Sequence, residues 1–418
     1  MSSNNNIWKK LKISECAEII CGGTPSTSKM EYWDGNIPWI TPKDLSNYNS
    51  MYISKGNRNI SELGLKNSSA KLLPKNTILL TTRAPIGYIA IAKNELSTNQ
   101  GFKSLIMKDG NIPEFFYYLL KYNMDSIKNL GNGTTFMEVN STSLKKLELN
   151  IPPLEKQKKI ASILSSLDDK IELNNRMNKI LEEMAQTIFK EWFVNFNFPS
   201  EEGKPYKDSG GKMIKSELGA IPDGWKVDSL SNVFDISIGK TPPRKEVECF
   251  SYDNKDIKWV SISDMGKSGL YILDTSEYLT PEAVSKYNVV IVPKDTIILS
   301  FKLTIGRVSI VIEDMTTNEA IAHIKTNDKK LNEYTYFYLK NFKYSTLGST
   351  SSIAQAVNSK LIKSIKYIVP RKNILDNFHL KVRDIFNKIK FNQIENQKLD
   401  SIRDTLLPKL MSGEIRVK

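Results

Sequence analysis

Apolar residues recur at helical spacing through residues 154–193, LEKQKKIASILSSLDDKIELNNRMNKILEEMAQTIFKEWF, a stretch free of Gly and Pro. Most of its residues are good helix formers. Two seven-residue columns run down it. Ile160, Leu167, Asn174, Leu181 and Ile188 form one; Leu164, Ile171, Asn178, Ala185 and Trp192 form the other. Such columns are the seam of a coiled coil, apolar here except in its middle. Pro152 and Pro153 stand just before it, where a helix can start. The pattern returns 218 residues later as Phe378, Ile385, Asn392, Leu399 and Leu406, and as Val382, Ile389, Asn396, Arg403 and Leu410. The spacing predicts helices over 155–192 and 373–410. A long helix in water needs its apolar stripe covered, and the natural partner is the second copy. An antiparallel pair with pseudo-two-fold symmetry is therefore expected, with Asn174 facing Asn392 near its centre. A third column, Ile163, Met177 and Met184, is apolar in the first helix, while its counterparts Lys381, Glu395 and Ile402 are mostly polar. That surplus is expected to dock a partner subunit or to pack on a domain of the chain itself.

Outside the helices the period changes. Runs such as TILLTT and IGYIAIA, or TIILSF and IGRVSIVIE, are short and β-branched, punctuated by Pro or Gly, and predict strands. These too are duplicated. Gly22-Gly23-Thr24-Pro25 matches Gly239-Lys240-Thr241-Pro242. Ile37-Pro38-Trp39-Ile40 matches Ile257-Lys258-Trp259-Val260, and Pro74-Lys75-Asn76-Thr77 matches Pro293-Lys294-Asp295-Thr296. Matched positions differ by 217 to 220 along the whole chain. One short helix is predicted in each copy, at 113–121 and 332–340. Their aromatics (Phe115, Phe116, Tyr117; Tyr334, Tyr336, Phe337) are read as core rather than base-stacking residues. The fold class is α+β: a β-rich domain at 1–150, a central helix at 151–195, a Gly/Pro/Ser-rich linker at 196–222, a second β-rich domain at 223–370 and a terminal helix at 371–418.

Charge narrows the partner. Lys and Arg total 59 against 46 for Asp and Glu, a formal net charge of +13, which favours a polyanion such as nucleic acid over a bare need for solubility. Three cysteines and two histidines, all scattered, do not make a metal site, and the odd cysteine count fits a reducing cytoplasm. Cys16 and Cys21 are read as small core residues. No apolar run reaches membrane-spanning length, and the stretch MSSNNNIWKKLK has no apolar signal region, so a cytoplasmic protein without membrane contact is expected. No nucleophile elbow, phosphate loop, zinc-protease motif or dinucleotide fingerprint is present, nor the Asn-Pro-Pro-aromatic stretch of amino-methyltransferases. No catalytic residue and no metal ligand is assigned.

Binding is better supported. Each repeat follows its Gly-Thr-Pro turn with a polar, basic loop: the first carries Thr27, Lys29, Tyr32 and Trp33, the second Arg244, Lys245, Tyr252 and Lys255. The loops differ while the flanking strands agree, as suits two recognition surfaces on one scaffold. Lys43, in Ile-Thr-Pro-Lys-Asp-Leu, joins the set. One cation is kept in both copies, as Arg83 in Thr-Arg-Ala-Pro-Ile-Gly and Lys302 in Phe-Lys-Leu-Thr-Ile-Gly. On a turn it would hold a phosphate or a guanine edge, or else pair with Asp44 or Asp264.

These segments resemble the specificity subunit of type I restriction–modification systems. Residues from IPPLEKQ to KEWF look like its central conserved region, LDSIRDTLLPKLMSGEIRV like its C-terminal conserved region, and SELGAIPDGWKV like the entry to its second recognition domain. GGTPS, IPWITPKDL and TRAPIGYIAI look like motifs of its target recognition domains. The resemblance implies two target recognition domains, each reading half of a split double-stranded DNA sequence, with the helical pair as spacer. It implies two methyltransferase subunits docked on the chain, restriction subunits beyond them, and S-adenosylmethionine bound in the methyltransferases, with no cofactor in this chain. The second repeat departs from the first, with Thr-Pro-Pro-Arg for Thr-Pro-Ser-Thr and Phe-Lys-Leu-Thr for Thr-Arg-Ala-Pro, so the two half-sites are expected to differ. The alternatives are a subunit of another DNA-modification complex, a coiled-coil scaffold binding protein only, or an enzyme with unfamiliar motifs.

Overall fold

A computed structural model describes residues 8–46, 48–83, 85–131, 137–347 and 357–417. The chain divides into two compact units, one of residues 1–173 with 396–418 and one of residues 174–395. Each is α+β.

In the first unit, five strands lie in the order Ala17–Cys21, Phe102–Met107, Ile78–Thr81, Ile89–Ala92, Tyr52–Ile53, all antiparallel except the last pair. Ile78, Leu80, Ile91 and Leu105 are buried toward the helix Pro113–Tyr122 on one side, and Leu79, Ala90 and Phe102 toward a smaller sheet of Arg58–Ile60, Trp33–Ile40 and Ser97–Thr98 on the other. The short helix is the one expected. Phe115, Phe116 and Tyr117 are buried in the core, so they do not present rings to bases. Cys16 is buried as expected, whereas Cys21, at a strand end, is exposed.

The second unit repeats the topology. Its order is Asp235–Ile238, Ile321–Lys325, Ile297–Ser300, Val308–Val311, Tyr271–Ile272, beside a sheet of Phe250–Ser251, Glu277–Leu279, Ile257–Val260 and Thr316–Thr317. The helix Asn332–Asn341 buries Tyr334, Tyr336 and Phe337. Two small details explain repeated sequence letters. Asn76 and Asp295 both take positive φ, 69° and 65°, a conformation their short polar side chains tolerate. A Cβ on Gly22 would meet the Asn99 carbonyl at 2.0 Å, and one on Gly239 the Asn318 carbonyl at 2.1 Å, so only glycine fits there.

The long helices run Leu154–Phe189, ending in a π-turn at Lys190–Val194, and Lys372–Met411. Each contributes to both units. In the first unit Asp168 meets Arg403, while Ile160 and Leu164 share a core with Leu410. In the second, Asn174 meets Glu395, Asn178 meets Asn392, and Phe189 packs on Phe378. The direction is antiparallel in each. Ile160, Asn174, Phe378 and Asn392 are buried, and Leu167, Leu181, Ile188, Ile385, Leu399 and Leu406 are half-buried.

The register corrects one expectation. Asn174 does not pair with Asn392: its Nδ2 donates to Glu395 Oε2 at 2.7 Å, and Asn392 Nδ2 donates to Asn178 Oδ1 at 2.8 Å. Reversing one helix sets its two columns in opposite order, so members of unlike columns meet. The segment 196–222, expected as a linker, is folded onto the second unit. It forms a hairpin of Met213–Ser216 with Gly219–Pro222, and Phe198 stacks between Tyr206 and Trp225 with centroids 4.6 and 5.2 Å away. Its Gly and Pro residues make turns, and its few aromatics supply the anchor.

Candidate nucleic-acid interface

The kept cation sits on a hairpin loop that is built the same way in both units. In the first, the strands Ile78–Thr81 and Ile89–Ala92 are joined by the loop bearing Arg83. The buried Thr81 hydroxyl donates to the Pro85 carbonyl at 2.8 Å and accepts from the Tyr88 N–H at 2.9 Å, while the Gly87 N–H donates to the Thr81 carbonyl at 3.0 Å. In the second, the Ser300 hydroxyl donates to the Thr304 carbonyl at 2.6 Å and accepts from the Arg307 N–H at 3.0 Å, and the Gly306 N–H donates to the Ser300 carbonyl at 2.9 Å. A buried hydroxyl satisfied as both donor and acceptor fixes the loop more firmly than backbone turns alone. Neither Thr81 nor Ser300 was singled out from sequence. Their place just after the matched Thr-Ile-Leu-Leu and Thr-Ile-Ile-Leu strands was the available signal.

What surrounds the cation differs. Arg83 is half exposed, with Nε 3.9 Å from Glu138 Oε2, and Lys103 Nζ lies 3.5 Å from the other oxygen of the same carboxylate. Among the described residues Lys302 makes no ion pair. Its ammonium lies 5.7 Å from the Phe301 ring centroid. The alternative partners are excluded. Asp44 takes Thr41 N–H and Oγ1 at 2.7 and 2.6 Å and Asn57 N–H at 2.9 Å. Asp264 likewise takes Ser261 N–H and Oγ, and Ser276 N–H and Oγ. Both carboxylates are spent on turns and serve the scaffold.

In the first unit the other expected residues scatter. Lys29 is exposed and donates to the Tyr32 hydroxyl at 3.1 Å. Tyr32 itself is a core residue beside Trp33, Trp39 and Ile60, so its ring is not available for stacking, because the turn Met30–Tyr32 folds back on the small sheet. Lys43 is exposed on the turn Pro42–Leu45. The sequence reading missed Arg58, whose guanidinium lies over Trp33 at 3.5 Å from the ring centroid.

In the second unit Arg244 is not a free reader. Its guanidinium lies 4.2 and 4.7 Å from the Phe250 and Trp259 ring centroids and donates two bonds, 2.9 and 3.0 Å, to Glu277. Lys245 and Lys255 are exposed, and Tyr252 is exposed on the same loop. Glu319, bonded by the Thr241 hydroxyl, gathers this face. Burial disfavours its charge, but Thr241, its own N–H and the cations Lys302 and Arg244 outweigh burial and hold its carboxyl below the ordinary range. Lys302 and Arg244 thus share one electrostatic neighbourhood. At the matching place the first unit has neutral Gln100, bonded by Thr24.

Among the described residues no group of three His, Cys, Asp or Glu side chains could hold a metal ion, and no helix is long and apolar enough to cross a membrane.

The family profile for the type I restriction modification DNA specificity domain matches residues 5–183 and 222–403. The MjaIX specificity subunit of a Methanocaldococcus jannaschii type I restriction enzyme is 39% identical over 98% of this chain and 94% of its own length. The HindI specificity subunit of Haemophilus influenzae is 28% identical, covering 91% and 94%. The crystal structure of the specificity subunit of a type I restriction–modification system from M. genitalium aligns over 98% of this chain and 97% of that one, with a TM-score of 0.57 at 19% identity, and so shares the fold. Two matched repeats, each a β-rich unit closed by a long helix, place this chain in the family of type I restriction–modification DNA specificity subunits, which carry no catalysis of their own.

Proposed function

We propose that this chain reads a bipartite double-stranded DNA target, one half per unit, for methyltransferase and restriction subunits that carry the chemistry. The observation behind this reading is the hydroxyl-braced hairpin loop, present twice and each time displaying a cation, Arg83 or Lys302, amid unlike neighbours. A rigid loop loses little entropy when it docks, and a cation on it holds phosphate or a guanine edge. Two methyltransferase subunits, each bringing S-adenosylmethionine, would dock on the helices, with restriction subunits recruited to that assembly in the cytoplasm. The exposed apolar side chains Ile163 in the first unit and Ile180 and Met184 in the second suit such docking. Met177, of the same column, is half-buried.

The test is to assemble the chain with its methyltransferase subunits and map the methylated adenines. Arg83→Ala should relax or weaken one half-site, and Lys302→Ala the other, each by about 1–3 kcal/mol if a base is read. Methyl transfer by the chain alone, or binding that ignores salt, would refute the reading.

A further inference from the structure

The second loop carries a residue that cation-and-phosphate recognition does not use. Leu303 follows Lys302 directly, is 94 % exposed, and has φ +58°. A branched, bulky side chain at positive φ is an outlier that costs about 1–3 kcal/mol and survives only where surrounding structure imposes it. Here the imposition is visible. Phe301 is buried on one side, and Ser300 ties down Thr304 and Arg307 on the other. Ile305, also exposed, adds a second apolar side chain to the same tip. The loop therefore holds a leucine in water, in a strained conformation, beside an ammonium with no carboxylate partner among the described residues. An aliphatic side chain gains nothing there in the free protein.

We propose that Leu303 is an apolar probe of the second half-site: Lys302 holds a phosphate while Leu303 packs against the bases beside it. Leucine is suited to a thymine methyl or to the edge of a partly opened base step. The adjacent cation argues for DNA over an apolar protein surface. It would be stripped of water without compensation against a hydrophobic partner, but is neutralised against a phosphate. The position matched in the first repeat is Ala84, which lies outside the described residues. By sequence it carries only a methyl group, so the probe belongs to one half-site.

This inference rests on the DNA-reading role proposed above, and the experiment separates the two. Full-length wild-type, Leu303→Gly and Lys302→Ala chains are assembled with their methyltransferase subunits. Each is titrated over a salt series with a duplex carrying the mapped target and with a duplex lacking it. Glycine relieves the strain at positive φ, so Leu303→Gly should melt no lower than wild type. It should bind the target about tenfold more weakly, with an unchanged salt slope and unchanged non-target binding, because an apolar contact releases no counterions. Lys302→Ala should weaken both duplexes and lower the slope by about one. Wild-type target affinity in Leu303→Gly overturns the proposal. So does loss of assembly with intact affinity in the assembled fraction, which would assign the tip to a protein partner. Absence of salt-dependent binding in the wild type would defeat the DNA-reading role itself, and is recognisable because all three proteins then behave alike.

Discussion

In the first unit the position paired with Trp39 holds Arg58; in the second the position paired with Trp259 holds Glu277. Both units nonetheless lay a guanidinium on the aromatic rings of the small sheet. Arg58 reaches Trp33 from its own strand and meets no carboxylate among the described residues. Arg244 comes from the preceding loop, covers Phe250 and Trp259, and is clamped by Glu277. The stack is retained and its charge exchanged: the first platform shows a cation and the second a neutralised pair. A stacked guanidinium keeps its plane fixed, and of the two only Arg244 is also clamped by a carboxylate among the described residues. The duplicated units thus differ at these side chains while the order of their five-stranded sheets is the same.

The largest effect is expected where the units agree. Thr81→Val and Ser300→Ala each remove a buried hydroxyl and leave an N–H and a carbonyl without it, and each should cost about 2 kcal/mol in urea unfolding and weaken DNA binding by its own half-site. Stability within error of wild type would mean the loops do not depend on their hydroxyls. Next comes the exchanged charge. Arg58→Ala should weaken target binding about tenfold with little change in melting temperature, whereas Arg244→Ala should mainly destabilise the second unit. Equal losses of binding in both would erase the distinction.

A third contrast is buried. His323 bonds Ser237 through Nδ1 at 2.9 Å and Thr317 through Nε2 at 2.7 Å. At the matching places in the first unit the buried Ser104 and Thr98 hydroxyls have no hydrogen-bond partner among the described residues. Burial, aided by Lys325, lowers the His323 pKa to about 3, so the folded state resists a proton that the unfolded state takes up near pH 6.5. Stability linked to this group is complete above that pH and is lost as pH falls toward 3. From pH 7 to 5.5 the loss is about 1 kcal/mol. His323→Gln should flatten this slope in the second unit, and an unchanged slope would remove His323 as its cause. The smallest effect concerns the seam. The Asn392 side-chain oxygen is buried without a hydrogen-bond partner among the described residues, so Asn178→Leu with Asn392→Leu should stabilise the chain by under about 1 kcal/mol while admitting other registers, seen as altered oligomers in light scattering.

The repeated columns from Ile160 to Leu410, the β-branched runs and the two short aromatic helices were legible because period and propensity are local. So were the cations on the paired loops, since Arg83 and Lys302 fall in matched motifs. The family resemblance followed from the same letters. Partner choice was not local. Which residues meet in the antiparallel helices, and hence Asn178 with Asn392, depends on the register between two segments distant in sequence, which the period does not encode. That Tyr32 would be buried, Asp44 and Asp264 consumed by turns, and residues 196–222 packed on Trp225, depends on atoms distant in sequence. Arg58 was invisible for the same reason: its significance lies in Trp33 beneath it and in the absence of the acid that Glu277 supplies to Arg244. The sequence by itself determined the elements, their duplication and the family. Only the tertiary structure decided which charged side chains are free, because a charge is free or spent according to what folds beside it.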